Sequence, residues 1–262
     1  MPRDRLTITA ALCVLALAPA TAHAADLLAH RAIYTLSLDD SRRDKVQAAS
    51  GSMTYEMVDT CDGWASHQRL KMNIVNSEGQ SIEMLSDYAT FESKDGHSMH
   101  FKLRQTTDQA VTSELEGDAK LKPDGTGTAH YTLPRDQTFD LPHGTLFPTA
   151  HTEALLAAAE SGKKFLTLPL FDGTSEKGAQ YSSIVVLKWQ GPQPNRWPEL
   201  AKLPGGRFHL AFFDTAADAP EPNYEVSMHY WANGVADDLA MDFGDFVMDG
   251  NLTSFQPLKP HC

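Results

Sequence analysis

The sequence lacks an apolar run long enough to cross a membrane. Its apolar run at residues 6–18 has 13 residues, too few to span a hydrocarbon core of about 30 Å as a helix. Arg3 and Arg5 precede this run, and the small-x-small sequence Ala22-His23-Ala24 follows it. A basic start, a short apolar run and small residues, in that order, are typical of a secretory signal peptide. We therefore predict that residues 1–24 are removed on export, with a retained membrane anchor as the alternative.

The sequence also lacks the motifs of the common enzyme classes. It contains no nucleophile elbow, zinc-binding His-Glu-x-x-His, phosphate loop or dinucleotide fingerprint. His143, His151 and Glu153 have the residue types of a two-histidine, one-carboxylate metal site, but His151 and Glu153 are two positions apart and so lie on different faces of a helix. We predict no metal, no cofactor and no catalytic residue. A hydrolase that uses His143 or His151 with nearby carboxylates is the alternative.

Basic residues are few compared with acidic ones. Removal of residues 1–24 leaves 20 lysines and arginines against 33 aspartates and glutamates, a net charge of −13. Electrostatic repulsion of this kind argues against nucleic acid and against an anionic lipid surface as partners.

Cysteine is scarce, with Cys13, Cys61 and Cys262 in the whole chain. Cys13 belongs to the predicted signal peptide, so the exported protein retains two cysteines. Because compartments outside the cytoplasm are oxidising, two such cysteines usually pair. A Cys61–Cys262 disulfide would close a loop of about 200 residues and stabilise the fold by roughly 5 kcal/mol at most. The alternative is a free buried thiol at Cys61.

The body of the chain has the pattern of an antiparallel β protein. Met53, Tyr55 and Met57 alternate with polar residues, as in a half-buried strand. Similar segments recur every 8–12 residues or so, separated by Gly, Asn or Asp turns, which is typical of a meander closing into a barrel or sandwich. The further strands are predicted at residues 66–75, 81–91, 98–105, 111–115, 119–121, 128–133, 165–171, 181–189, 207–214, 224–231 and 235–243. A change of phase at Gly244 predicts a bulge or sharp bend there.

One segment departs from the strand pattern. Residues 148–161 are rich in alanine and leucine, which favour helix. Thr149 is the candidate N-cap and Gly162 the candidate end. The small apolar surface of this helix predicts packing against the concave face of the sheet. No linker or repeat interrupts residues 25–262, so we predict a single domain.

Three segments carry a resemblance to a known family. The run Thr60-Cys61-Asp62-Gly63-Trp64, residues 141–151 and the tail 224–262 resemble the EipB-type envelope integrity proteins of Gram-negative alphaproteobacteria. The resemblance covers residues 26–262 and includes no catalytic motif. It implies a periplasmic, broken and spiralling antiparallel β-barrel with an internal disulfide, which maps onto Cys61 and Cys262.

The same resemblance implies a role in cell-envelope integrity with no known enzymatic activity. The implied fold is similar to that of periplasmic lipoprotein carriers, whose curved sheet holds an acyl chain, although fold alone does not determine function. We therefore expect a non-enzymatic periplasmic protein that binds a lipid, a peptide or a protein partner on its curved sheet.

Overall fold

Fourteen antiparallel strands form one continuous sheet in the computed structural model, which describes residues 26–215 and 221–260. The elements, in chain order, are β1 (His30–Arg43), β2 (Val46–Asp59), β3 (Gly63–Asn76), β4 (Ser81–Ser93), β5 (Ser98–Thr107), β6 (Ala110–Leu121), β7 (Gly127–Leu133), β8 (Gln137–Leu141), α1 (Pro148–Glu160), β9 (Phe165–Leu170), β10 (Gln180–Gln190), β11 (Gly205–Asp214), β12 (Tyr224–Trp231), β13 (Ala236–Asp242) and β14 (Phe246–Pro257). A short 3-10 turn, Leu200–Lys202, lies between β10 and β11. The predicted signal peptide, residues 1–24, lies outside the described residues.

The sheet consists of two meanders joined at β1. Its order is β8-β7-β6-β5-β4-β3-β2-β1-β14-β13-β12-β11-β10-β9, so β1 pairs with β2 on one side and with β14 on the other. Strands β8 and β9 are the edges. An isolated parallel bridge between Leu146, just after β8, and Leu170, at the end of β9, brings the two edge regions together without closing a full ladder. The expected fold, a mostly β, broken antiparallel barrel with one helix, is confirmed.

Several strand boundaries differ from the prediction. Strands β1, β8 and β14 were not predicted, and β6 was predicted as two strands, on either side of Gly117. The strand continues through Gly117, where an added Cβ would lie 2.2 Å from the carbonyl oxygen of His130 and 2.8 Å from the ring of Phe101. The phase change at Gly244 is the tight turn of the β13–β14 hairpin, at φ +86°, where the chain reverses direction.

Helix α1 lies at the predicted position and packs into the core. Leu155 and Leu156 are fully buried, and the helix contacts β9 and β10. Gly162 follows its end in the left-handed region, at φ +80°, as predicted. The predicted cap is wrong. Phe147 occupies the N-cap position and Pro148 the first helical position, so Thr149 is already inside the first turn.

A carboxylate from a distant strand takes the place of a local cap. Glu92, near the end of β4, accepts hydrogen bonds from the Thr149 amide at 3.0 and 2.9 Å and from the Thr149 hydroxyl at 2.8 Å. The carboxylate thus accepts from an N–H group of the first helical turn, which has no acceptor within the helix. Glu92 is only 2% exposed, and its burial raises its pKa to about 7, against the opposing effect of the hydrogen bonds from Thr149 and Ala150. The contact ties the start of α1 to β4.

The interior holds two hydrophobic clusters. The larger one joins α1 to β1–β3 and β10–β14. The smaller one lies among β5–β8 and is built on edge-to-face contacts of Phe171 with Phe101, Tyr131 and Phe147. Phe171 begins the segment that connects β9 to β10, so this connection folds into the barrel and fills the space under β5–β8.

Strands β2 and β14, which precede the two predicted disulfide partners in the chain, end on the same side of the sheet. His30 of β1 is opposite Met57 of β2 and also opposite Pro257 of β14. Strands β2 and β14 run in the same direction on either side of β1, about 10 Å apart. Cys61 follows β2 closely, while Cys262 lies outside the described residues. The described ends are therefore compatible with the Cys61–Cys262 pairing, which stays a prediction.

Replacement of Cys262 tests that pairing. We expect Cys262→Ser to lower the melting temperature under oxidising conditions by about 5–10 °C, because a disulfide across a long loop contributes about 2–4 kcal/mol. Differential scanning calorimetry, with and without reductant, measures the effect. Reductant should lower the melting temperature of the wild type to that of the variant. Equal melting of both proteins under oxidising conditions would show that the bond does not form or does not stabilise.

The buried Glu92 predicts a dependence of stability on pH. Its pKa is higher in the folded protein than the ordinary value of 4.5, so folding favours the protonated form. Its stabilising contribution is complete below the ordinary pKa and is lost as the pH rises through about 7. Between about pH 5 and pH 8, the free energy of unfolding of the wild type should fall relative to that of Glu92→Gln by up to about 3 kcal/mol.

Chemical denaturation across this pH range measures the difference. Glu78→Gln, in the exposed turn between β3 and β4, is the matched control and should run parallel to the wild type at every pH. A constant difference between the wild type and Glu92→Gln across the range would contradict the assignment.

Candidate ligand-binding cavity

The two hydrophobic clusters leave unfilled space between them. Two adjoining chambers of 340 and 260 Å³ lie inside the curled sheet, of the size that small-molecule sites usually have. The residues that line both chambers are Met53, Gln68, Tyr88, Tyr224 and Met241. The two chambers are therefore adjacent and share this part of their wall, and we refer to them together as the cavity.

The larger chamber has a wall set by strand register. Tyr55 of β2, Gln68 of β3 and Tyr88 of β4 are direct cross-strand partners, so their side chains lie in one row on the inner face. Met228 and Tyr230 of β12 also line this chamber. The first turns of α1 contribute Pro148, Thr149 and Thr152, and Glu92 lies beside them.

The smaller chamber extends to the surface of the barrel. It is lined by Met72 and Leu103 from the two clusters and by Phe243. Met84 and Thr112 also line it, and both are exposed, Met84 by 38%. A ligand can therefore reach the cavity from this side.

Five tyrosines face the larger chamber, and only some of their hydroxyls are hydrogen-bonded within the protein. Tyr34 donates to the carbonyl of Ala236 at 2.8 Å and Tyr88 to that of Asp172, while Tyr230 is hydrogen-bonded to Thr152. Within residues 26–215 and 221–260, the hydroxyls of Tyr55 and Tyr224 have no hydrogen-bond partner. Burial raises the pKa of each of these tyrosines. All five therefore stay neutral, and Tyr55 and Tyr224 retain hydroxyls that can bind a ligand.

Among the described residues, the cavity wall contains no lysine, arginine or aspartate, and Glu92, with a pKa of about 7, is its one carboxyl group. His30 is buried, its Nδ1 lies 2.6 Å from the carbonyl of Leu28, and burial lowers its pKa, so it is neutral at pH 7. The Glu92 carboxyl is engaged by the start of α1. Because burying an unpaired charge is costly, such a wall selects an uncharged, mainly apolar group with few hydrogen-bonding atoms.

The histidines and the glutamate considered from sequence do not form a site. His151 is buried, its Nε2 lies 2.7 Å from the hydroxyl of Ser182, and burial lowers its pKa to about 4. Ser182 in turn donates to the carbonyl of Leu168, so this contact joins α1 to β9 and β10. His143 is exposed in the turn before α1. Glu153 is half-buried, and its burial raises its pKa.

The same residues give no support to the hydrolase alternative. Ser182, the nucleophile candidate nearest to His151, is fully buried and does not line the cavity. Among the described residues, no group of three or more His, Cys, Asp and Glu side chains could hold a metal ion.

Sequence reasoning did not identify the cavity residues. Tyr55 was recognised as an inward position of a strand, but alternation alone does not separate an inward side chain that packs from one that faces open space. Glu92 was missed because its partner Thr149 is 57 residues away. The signal that could have identified the cavity was the presence of tyrosine at several inward strand positions. The hydroxyl of a buried tyrosine usually needs a polar partner.

Comparisons with known proteins agree with this architecture. The family described as EipB-like matches residues 21–259 of the chain. The cell envelope integrity protein EipB of Brucella abortus (strain 2308) is 32% identical over 246 residues, which cover 90% of this chain and 86% of the relative. No helix among the described residues is long and apolar enough to span a bilayer.

A solved structure is also similar over nearly the full length. It is a beta-barrel-like protein of a domain of unknown function, DUF1849, from Brucella abortus, with a TM-score of 0.80 and 31% identity over 90% of this chain and 100% of that one. Since the family match extends over almost the whole chain, the chain belongs to the EipB-like family.

Proposed function

We propose that this protein supports the integrity of the cell envelope from the periplasm by holding an elongated apolar group, such as the acyl chain of a lipid or lipoprotein, in the cavity of its barrel. The observation that carries the proposal is the mainly apolar, tyrosine-lined cavity that extends to the surface at Met84 and Thr112. In this proposal the role is non-enzymatic: the protein binds its ligand and does not transform it.

The size and polarity of the cavity favour an acyl chain over a peptide. A methylene group needs about as much room as a water molecule, about 30 Å³, so the 340 Å³ chamber accommodates a chain of about ten carbons and the 260 Å³ chamber extends it. A peptide in the same space would bury its amide groups, and each amide left without a hydrogen bond costs several kcal/mol. In the larger chamber Ser66, Thr149 and Thr152 are already hydrogen-bonded within the protein. An acyl chain needs no such partners. The smaller chamber is more polar, with Gln105, Thr106 and Thr107 on its wall.

The envelope location has two independent supports. The first 24 residues have the features of a secretory signal peptide. The relative from Brucella abortus, matched over 90% of this chain, is named a cell envelope integrity protein.

A cavity-filling substitution links the cavity to the function. Val226 of β12 is buried and lines the larger chamber, whereas Ser227 is the next residue of the same strand and does not line it. A strain that lacks this protein should become sensitive to detergent. We expect the wild type and Ser227→Phe to restore growth and Val226→Phe to fail, because the added ring occupies space that the ligand needs. Growth on detergent plates measures the outcome.

Binding of a neutral fluorophore provides the matching measurement in vitro. N-phenyl-1-naphthylamine should bind the wild type and Ser227→Phe equally, and bind Val226→Phe at least about tenfold more weakly, which corresponds to about 1.4 kcal/mol. Circular dichroism melts check that both variants fold. A folded Val226→Phe that restores growth as well as the wild type would refute a function of this cavity.

A further inference from the structure

The most exposed large apolar side chains of the described residues lie at one corner of the sheet. Phe165, the first residue of β9, is 70% exposed, and Leu187 of β10 is 57% exposed. Phe165 is the cross-strand partner of Val185, and Leu187 is two residues further along β10. The three side chains therefore form one small apolar group, which we call the β9–β10 corner.

Lysines surround this corner. Lys163 and Lys164 immediately precede Phe165, and Lys188 immediately follows Leu187, all three exposed. The amide of Val186 donates to the carbonyl of Lys164 at 2.8 Å, which holds the lysine segment alongside β10. Among the described residues none of the three forms an ion pair, and Glu160 is the nearest acidic residue along the chain on the α1 side.

Several lysines elsewhere on the barrel are paired with carboxylates. Lys71 is paired with Glu83 at 2.7 Å, Lys102 with Glu116 at 2.6 Å, and Lys177 with Asp214. The corner thus combines unpaired positive charge with protruding apolar side chains on a chain whose overall charge is negative.

We propose that the β9–β10 corner docks the protein on an anionic phospholipid surface. The lysines contact the headgroups, while Phe165 and Leu187 enter the interfacial region, where apolar side chains gain from leaving water. The proposal concerns the outer face of the sheet. It rests on the proposed function only in taking the envelope as the place where the protein acts.

Charge complementarity and area both favour a membrane over a protein partner. A specific protein interface needs about 800 Å² and 20–30 residues on each side, but the neighbouring outward positions Thr167, Ser183 and His209 are polar. Three apolar side chains ringed by lysines are sufficient for reversible attachment to a bilayer, because each lysine near an anionic surface strengthens binding about fivefold.

The acidic character of the whole chain does not prevent this contact. Charges in solution are screened over about 8 Å at physiological ionic strength, so acidic residues on the far side of the barrel contribute little at the corner. The argument from net charge against an anionic lipid surface holds for the average surface and not for this part of it.

Vesicle flotation of the exported protein tests the proposal. The vesicles contain phosphatidylcholine alone, or phosphatidylcholine with about one third replaced by phosphatidylglycerol. We expect binding to the anionic vesicles only, and release at about 0.5 M salt. The triple variant Lys163→Gln, Lys164→Gln, Lys188→Gln should bind about 100-fold more weakly.

A second triple variant provides a control with the same net charge. Lys71→Gln, Lys102→Gln, Lys177→Gln removes three lysines that lie elsewhere on the barrel, and it should bind the anionic vesicles like the wild type. Phe165→Ser with Leu187→Ser should weaken binding, whereas Val111→Ser, at an exposed apolar position of β6, should not.

The proposal is overturned if the wild type does not bind anionic vesicles, if it binds neutral vesicles equally well, or if the two triple variants behave alike. Fluorophore binding in the cavity is measured separately, and the corner substitutions should leave it unchanged. Failure of membrane docking with intact fluorophore binding would therefore refute this proposal alone.

Discussion

The pairing of β1 with both β2 and β14 is the constraint on which the rest of the molecule depends. It joins the first and last strands of the chain at the middle of the sheet, so the two meanders extend from β1 in opposite directions and curl toward each other. The edges then meet near Leu146 and Leu170, at the start of α1. With its ends in the centre and its middle at the edges, the chain has to place α1 and the β9–β10 connection inside the curl.

The interior is filled unevenly as a result. Leu155 and Leu156 fill the part next to β9 and β10, and Phe171 fills the part under β5–β8. The first turns of α1 and Thr174 of the β9–β10 connection line the space between them without filling it, and Tyr55 and Tyr224 face this cavity. Protein interiors are usually packed without voids of this size, so an unfilled volume with neutral hydroxyls on its wall is better explained by a ligand than by imperfect packing.

The predictable parts of the fold are those set by local pattern. Alternation predicted most strands, and alanine with leucine predicted α1 within one residue of its observed ends. Strand β1 was missed although Ala32, Tyr34 and Leu36 alternate, because its second half, from Asp39 to Arg43, is polar and has no apolar face. Strand β8 was missed although Phe139 and Leu141 alternate with the polar Thr138 and Asp140.

The parts that could not be predicted depend on long-range contacts. The cap of α1 comes from Glu92, on a strand that is a neighbour only after folding. The cavity likewise follows from which inward side chains lack partners across the barrel, and no single-strand pattern contains that information. The β9–β10 corner could be predicted in part, since Lys163, Lys164 and Phe165 are adjacent in sequence. The pairing of Phe165 with Val185, which brings Leu187 into the same region, depends on the register of β9 with β10.

Native mass spectrometry of the protein isolated gently from envelopes tests the central claim most directly. A cavity that holds an acyl chain predicts a bound species with the mass of a lipid or acylated peptide in the wild type, and its absence from Val226→Phe. A wild-type protein that carries no bound mass under the gentlest conditions would contradict the claim.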